Sequence, residues 1–103
     1  MSTKYEIVAR IYDKRGRVLS VGKNSYSKTH PLQAHYAKRS GYPDRIYLHA
    51  EIAAIASCKS LGKAYLISIS RLGRSGETRL AKPCATCQAA IKQSGIKIVE
   101  YTV

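Results

Sequence analysis

Residues 4–12, Lys-Tyr-Glu-Ile-Val-Ala-Arg-Ile-Tyr, alternate in polarity and place Tyr5, Ile7, Ala9 and Ile11 on one face. A period of two marks a strand, because successive side chains leave the pleat on opposite sides. Asp13-Lys14-Arg15-Gly16 reads as a turn, and residues 17–22 return as a second strand, giving a β-hairpin. Residues 23–46 are polar and broken by Pro31, Gly41 and Pro43, with a short helix read from Leu32 to Arg39. From Ala50 to Cys58 the chain is rich in helix formers, and Ile52, Ile55 and Ala56 stand at i, i+3, i+4. Gly62 ends that segment. Ala64 to Ile69 is a nearly unbroken apolar run, which predicts a strand covered on both faces. Residues 71–82 read as a second loop, after which Pro83 stands where helices begin. Cys84 to Ser94 continues as a helix stopped by Gly95, and Ile96 to Val103 is the last strand. The predicted order is β-β-α-β-α-β: an α/β fold with a mixed sheet. Its two helical crossovers should make parallel strands by right-handed connection.

Length adds that 103 residues suffice for one small domain, 1–103, with a modest core. No apolar run approaches the roughly 18 residues of a membrane span, and the first residues lack the apolar stretch of a signal peptide. Three cysteines are an odd number, which argues against a disulfide framework and for reduced thiols, hence a cytoplasmic protein. Net charge changes the picture more. Eighteen Lys and Arg against six Asp and Glu give +12. A small enzyme of neutral metabolites has no need of that imbalance, and a polyanionic partner would account for it.

The chemistry concentrates in His49-Ala50-Glu51 and Pro83-Cys84-Ala85-Thr86-Cys87. Two cysteines separated by two residues at a helix start can aim both sulfurs at one small cation. His49 supplies a third ligand, and three protein ligands on tetrahedral Zn²⁺ leave one position open to water. Glu51 is then free to move protons. On an ideal helix positions 49 and 51 lie about 200° apart, so regular helical spacing does not aim both at one point. A closed structural zinc site would need a fourth ligand. Cys58, His30 and His35 are the candidates, but none has paired spacing with His49, and Cys58 reads as plain core.

H-x-E followed by P-C-x-x-C is the signature of zinc-dependent nucleobase deaminases. The chain resembles the cytidine/deoxycytidylate deaminase superfamily from about residue 4 to its end. It departs from that pattern in lacking a helix before the first strand, and the final helices and fifth strand of many relatives. The resemblance implies a minimal cytidine-deaminase-like fold whose two zinc-bearing helices pack on the sheet. It also implies that Glu51 passes a proton from water to the ring nitrogen and the departing ammonia. Free-nucleoside enzymes usually have cysteine in the place of His49. Histidine there resembles the deoxycytidylate, polynucleotide-cytidine and tRNA-adenosine branches. Asn24 matches the place where relatives keep an asparagine that touches the substrate sugar or base.

Both loops expected beside the pocket are basic. One carries Lys23, Lys28, Lys38, Arg39 and Arg45 against Asp44; the other carries Arg71, Arg74, Arg79 and Lys82 against Glu77. Together they could track a phosphate backbone, and Tyr26, Tyr36, Tyr42 or Tyr47 could stack a base. Asn24, Ala50, Tyr26, Lys28, Arg71, Arg74 and Lys82 are therefore the expected substrate contacts, with Zn²⁺ the cofactor. The expected activity is conversion of cytosine to uracil in single-stranded DNA or RNA. A free nucleotide is the alternative substrate, needing two or three of those charges. Adenosine deamination in tRNA comes third, and a non-catalytic zinc module that binds nucleic acid is the reading of a different class. Pairing with a second copy would add stability to so short a chain.

Overall fold

The computed structural model describes residues 6–25, 29–41, 48–73 and 77–103. Tyr5, Tyr26, Lys28, Tyr42, Asp44, Arg45, Tyr47 and Arg74 lie outside them. The hairpin forms as expected: β1 (Glu6–Tyr12) pairs antiparallel with β2 (Val18–Lys23), and β1 also pairs antiparallel with β3 (Leu66–Leu72). The last strand, β5 (Ile98–Tyr101), runs parallel to β3, and the two-residue β4 (Thr78–Arg79) pairs with the end of β3. The sheet is therefore mixed, in the order β2-β1-β3, with β4 and β5 sharing the far side of β3. β4 lies within the segment 71–82 expected to be a loop. It reads poorly in sequence because two residues carry no period.

Among the described residues three helices cover one face. His30 caps α1 (Pro31–Arg39), its Nδ1 accepting from Leu32 N at 3.0 Å, and Pro31 supplies a preset φ at the first position. His30 is thus a cap and not a fourth ligand. Gln33, Tyr36 and Ala37 are the buried stripe of α1, while Lys38 and Arg39 complement the dipole at its end. α2 (Ala50–Ser57) lies across β2 and β1, and α3 (Ala85–Ser94) packs on α2 and α1. Gly95 stops α3 in the left-handed region, at φ +83°.

The core is where these faces meet: Ala9 and Ile11 of β1, Ile67 and Ile69 of β3, Ala50, Ile52, Ala54 and Ile55 of α2, and Cys87, Ala90 and Ile91 of α3. β3 alternates instead of being covered on both faces, with Ile67 and Ile69 buried and Leu66, Ser68 and Ser70 half-buried. The serines interrupt what looked like an apolar run, and they share the outer face with Arg10 and Tyr12. In α2, Ala56 is exposed, and Ala50 and Ala54 take the inward positions beside Ile52. Cys58 ends α2 half-buried against the core.

One contact fixes how α2 sits. A Cβ on Gly22 of β2 would fall inside the α2 backbone at Ala50, Ala53 and Ala54. Only glycine permits so close an approach of helix and strand. Ser20 Oγ adds a hydrogen bond to the Ala54 carbonyl at 2.8 Å. Small residues on both partners thus set the height of α2 above the sheet.

Candidate active site

The N-termini of α2 and α3 converge at one end of the sheet. His49 is the residue that caps α2, with φ −86° and ψ 153°, and is not itself helical. The ideal-helix angle between positions 49 and 51 therefore does not apply. Extended backbone at His49 swings its ring to the same side as Glu51. Three backbone contacts hold this corner. His49 N donates to Gln33 Oε1 at 3.0 Å, Ser25 N donates to the Leu48 carbonyl at 2.8 Å, and the His49 carbonyl accepts from Ala53 N at 2.9 Å.

Cys84 holds the equivalent capping position on α3, with Pro83 just before it and outside the helix, not at its first position. Cys87 lies one turn further and is fully buried. Gln88 Nε2 ties the approach down by donating to the Pro83 carbonyl at 2.8 Å. His49 Nδ1 then stands 3.3 Å from Cys87 Sγ and 3.6 Å from Cys84 Sγ, and all three donor atoms lie within 4.8 Å of one another. A tetrahedral Zn²⁺ with bonds of about 2.0–2.3 Å needs ligand atoms roughly 3.5–3.8 Å apart, so the set fits. Its electrostatics fit as well. A hydrogen bond from Cys87, seconded by His49, draws the Cys84 thiol down to about 3 against the opposing effect of burial. The adjacent Cys84 sulfur and burial push Cys87 up. Protein groups alone support one thiolate here, and a dication supports both. Among the described residues no other His, Cys, Asp or Glu joins the cluster, so Cys58 and His35 are not ligands.

Glu51 is buried in the first turn of α2, only 6% exposed. Loss of water around it raises its carboxyl above the ordinary value. Nearby Cys84 adds to the rise, while its own backbone N–H, the His49 ring and a hydrogen bond from Cys87 oppose it. It lines a cavity of about 260 Å³ together with Asn24, His49, Ala50, Arg71, Lys82 and Cys84. Four of the seven expected substrate contacts thus meet at one pocket; Tyr26, Lys28 and Arg74 lie outside the described residues.

The pocket corrects other expectations. Asn24 Oδ1 accepts from Ile7 N at 3.0 Å, extending the β1–β2 ladder, so that oxygen already has one backbone partner. Tyr36 is 8% exposed and belongs to the core, where it cannot stack a base. Of the described basic residues in the two loops, Lys38 and Arg39 belong to α1, Lys23 faces Glu6 at 3.9 Å, and Arg79 pairs with Glu77 at 3.0 Å. Arg71 and Lys82 reach the cavity wall. Gln33 was missed altogether as a positioning residue. Its signal was faint: a polar side chain at the first place of an i, i+3, i+4 buried stripe.

The model of the cytidine and deoxycytidylate deaminase zinc-binding region matches residues 2–103, and the chain belongs to that family. It is a zinc-dependent deaminase in which His49, Cys84 and Cys87 are placed to hold the metal. Among individually curated proteins none matches it. Among the described residues no helix is long and apolar enough to cross a membrane.

Proposed function

We propose that the protein converts cytosine to uracil within single-stranded DNA or RNA, with Glu51 as the proton carrier. The observation that carries this is the buried Glu51 carboxyl facing a cavity lined also by two of the metal donors, His49 and Cys84, and by two cations, Arg71 and Lys82. About 260 Å³ is small beside the roughly 300–1,000 Å³ of typical ligand pockets. That volume suits one base turned out of its strand while the backbone lies outside. Bound Zn²⁺ supplies Lewis-acid polarisation of a water molecule. Glu51 accepts a proton from the attacking water as its oxygen bonds to ring carbon C4. The carboxyl passes that proton to ring nitrogen N3, then takes the remaining hydroxyl proton from the tetrahedral C4 and hands it to the amino group, whose C–N bond breaks to release ammonia as the C4 carbonyl forms. Water adds and ammonia leaves, so the sum balances. The backbone is held at Arg71 and Lys82, and the high net charge of +12 favours a polyanion over a monomer.

The test is a panel of cytosine- and adenine-containing monomers and single strands incubated with the zinc-loaded protein and read by mass spectrometry. A gain of about 1 Da on cytosine strands is the expected result. Gain on deoxycytidylate alone would move the assignment to a free nucleotide. Glu51→Gln should cut turnover by about 10²–10⁴-fold while zinc content stays at the native value. Unchanged ammonia release in that variant, or none from the native protein, would leave a zinc module without catalysis.

A further inference from the structure

At the opposite end of the sheet lies a larger cleft, of about 820 Å³, with no metal donors beyond one aspartate. Its walls come from the β1–β2 turn, the 3₁₀ turn Leu61–Lys63, Tyr65, and the connection from α3 to β5. Five cations line it: Lys14, Arg15, Arg17, Lys63 and Lys97. Asp13 is the single carboxylate among them, and the turn itself occupies it. Asp13 Oδ1 accepts from the backbone N–H groups of Arg15 and Arg17 at 2.9 Å each, and its other oxygen stands 4.0 Å from Arg17 Nε. Those contacts hold its carboxyl below the ordinary value, so it stays charged while fixing the turn that presents Lys14 and Arg15. α3 brings its C-terminal end here, whose carbonyls repel anions. Among the described residues neither Lys63 nor Lys97 is ion-paired with a carboxylate, and together they outweigh that half charge. Tyr65 is half-buried on the wall with Lys14 Nζ 5.8 Å from its ring centroid, so an aromatic face borders the cations.

We infer that this cleft holds a distal segment of the single strand whose target base occupies the zinc pocket, an inference that rests on the substrate reading above. Cations around a concave wall with a stacking ring suit a phosphodiester strand. A lipid surface would call for a flat or convex basic face. Ile7 and Arg71 mark the metal end of the paired strands β1 and β3, and Tyr12 and Leu66 mark the other end. The seven residues of β3, at about 3.3 Å each, set the two sites roughly 20 Å apart. At about 3.4 Å per phosphate, the spacing of a stacked, duplex-like strand, that distance takes about six nucleotides, and fewer where the strand is extended.

Length is therefore the first readout. A 20-nucleotide strand with one central cytosine should show a KM at least about tenfold below that of a four-nucleotide strand, with the same kcat. The second readout is binding of cytosine-free 20-mers, all-thymidine DNA and all-uridine RNA, to the zinc-loaded protein. The triple variant Arg15→Ser/Lys63→Ser/Lys97→Ser should weaken that binding about tenfold. It should also lower the slope of log Kd against log salt by about two, since each neutralised phosphate contributes roughly 0.7. Zinc content and turnover of the four-nucleotide strand should not change. The control variant Lys38→Ser/Lys59→Ser/Lys92→Ser removes equal charge from other exposed positions. Equal weakening by both variants, or no preference for the longer strand, overturns the cleft while leaving single-strand deamination in place. Absence of deamination on every strand, with a monomer still converted, overturns both. Loss of binding to phosphatidylserine vesicles with strand binding unchanged would assign the cleft to a membrane surface and also overturn it.

Discussion

α2 and α3 perform the same task by different means. Each begins at one end of the sheet, and each places a metal donor at its capping residue, His49 on one and Cys84 on the other. α3 does so almost entirely with its own sequence. Cys84 and Cys87 are one turn apart, Gln88 holds the Pro83 carbonyl five residues back, and Gly95 closes the far end. α2 depends on partners distant in sequence. Gly22 admits its backbone to the sheet, Ser20 bonds Ala54 thirty-four positions away, and Gln33 takes the His49 N–H from sixteen positions away. A site built from one local and one long-range half should fail asymmetrically when struck.

The hardest blow falls on the long-range half. Gly22→Ala puts a methyl group into backbone atoms of Ala50, Ala53 and Ala54, which have no rotamer to yield with. α2 must lift away and carry His49 and Glu51 with it. Overpacking of this kind costs about 3 kcal/mol, the upper part of its usual range. A domain of this size then loses roughly 10 °C or more in Tm. Zinc stoichiometry should fall with it, measured by metal analysis of folded protein. A variant that keeps native Tm and full zinc would show that α2 does not owe its height to Gly22.

Gln33→Leu is a finer probe of the same half. Gln33 is fully buried, and leucine fills similar space without an acceptor. The His49 N–H loses its partner, at about 1–3 kcal/mol if it finds no other. Because that bond fixes the residue whose ring binds metal, zinc affinity should drop about 10–100-fold, as outer-shell losses typically do. Titration against a competing chelator measures it. Unchanged affinity would mean that the α2 cap alone orients His49, and the contrast between the two helices would weaken.

This contrast also explains how much the sequence disclosed. Cys84, Cys87, His49 and Glu51 were legible because spacing and residue type carry their chemistry, and the hairpin and α3 because their signals are local. Gln33 was not legible: nothing near it in sequence announces that its amide faces His49. β4 escaped because two residues, Thr78 and Arg79, pair only by virtue of where β3 ends. The double coverage expected of β3 failed because Ser68 and Ser70 need the register with Arg10 and Val8 to show which face is outer. Only the fold shows that Lys38 and Arg39 finish a helix while Arg71 and Lys82 reach the pocket.

The smallest effect probes the local half from inside. Thr86 sits between the two sulfur ligands, 1% exposed, and its hydroxyl has no hydrogen-bond partner among the described residues. A buried hydroxyl left unpaired costs about 1–3 kcal/mol, and valine has the same shape without that cost. Both residues are β-branched and nearly equal as helix formers, so α3 itself should be indifferent. Thr86→Val should therefore raise Tm by a few degrees, on the order of 1 kcal/mol, with zinc affinity unchanged. Calorimetry with a parallel chelator titration gives both numbers. A fall in zinc affinity would instead reveal the hydroxyl as a donor to one of the flanking sulfurs. α3 would then also lean on a contact that spacing alone did not disclose.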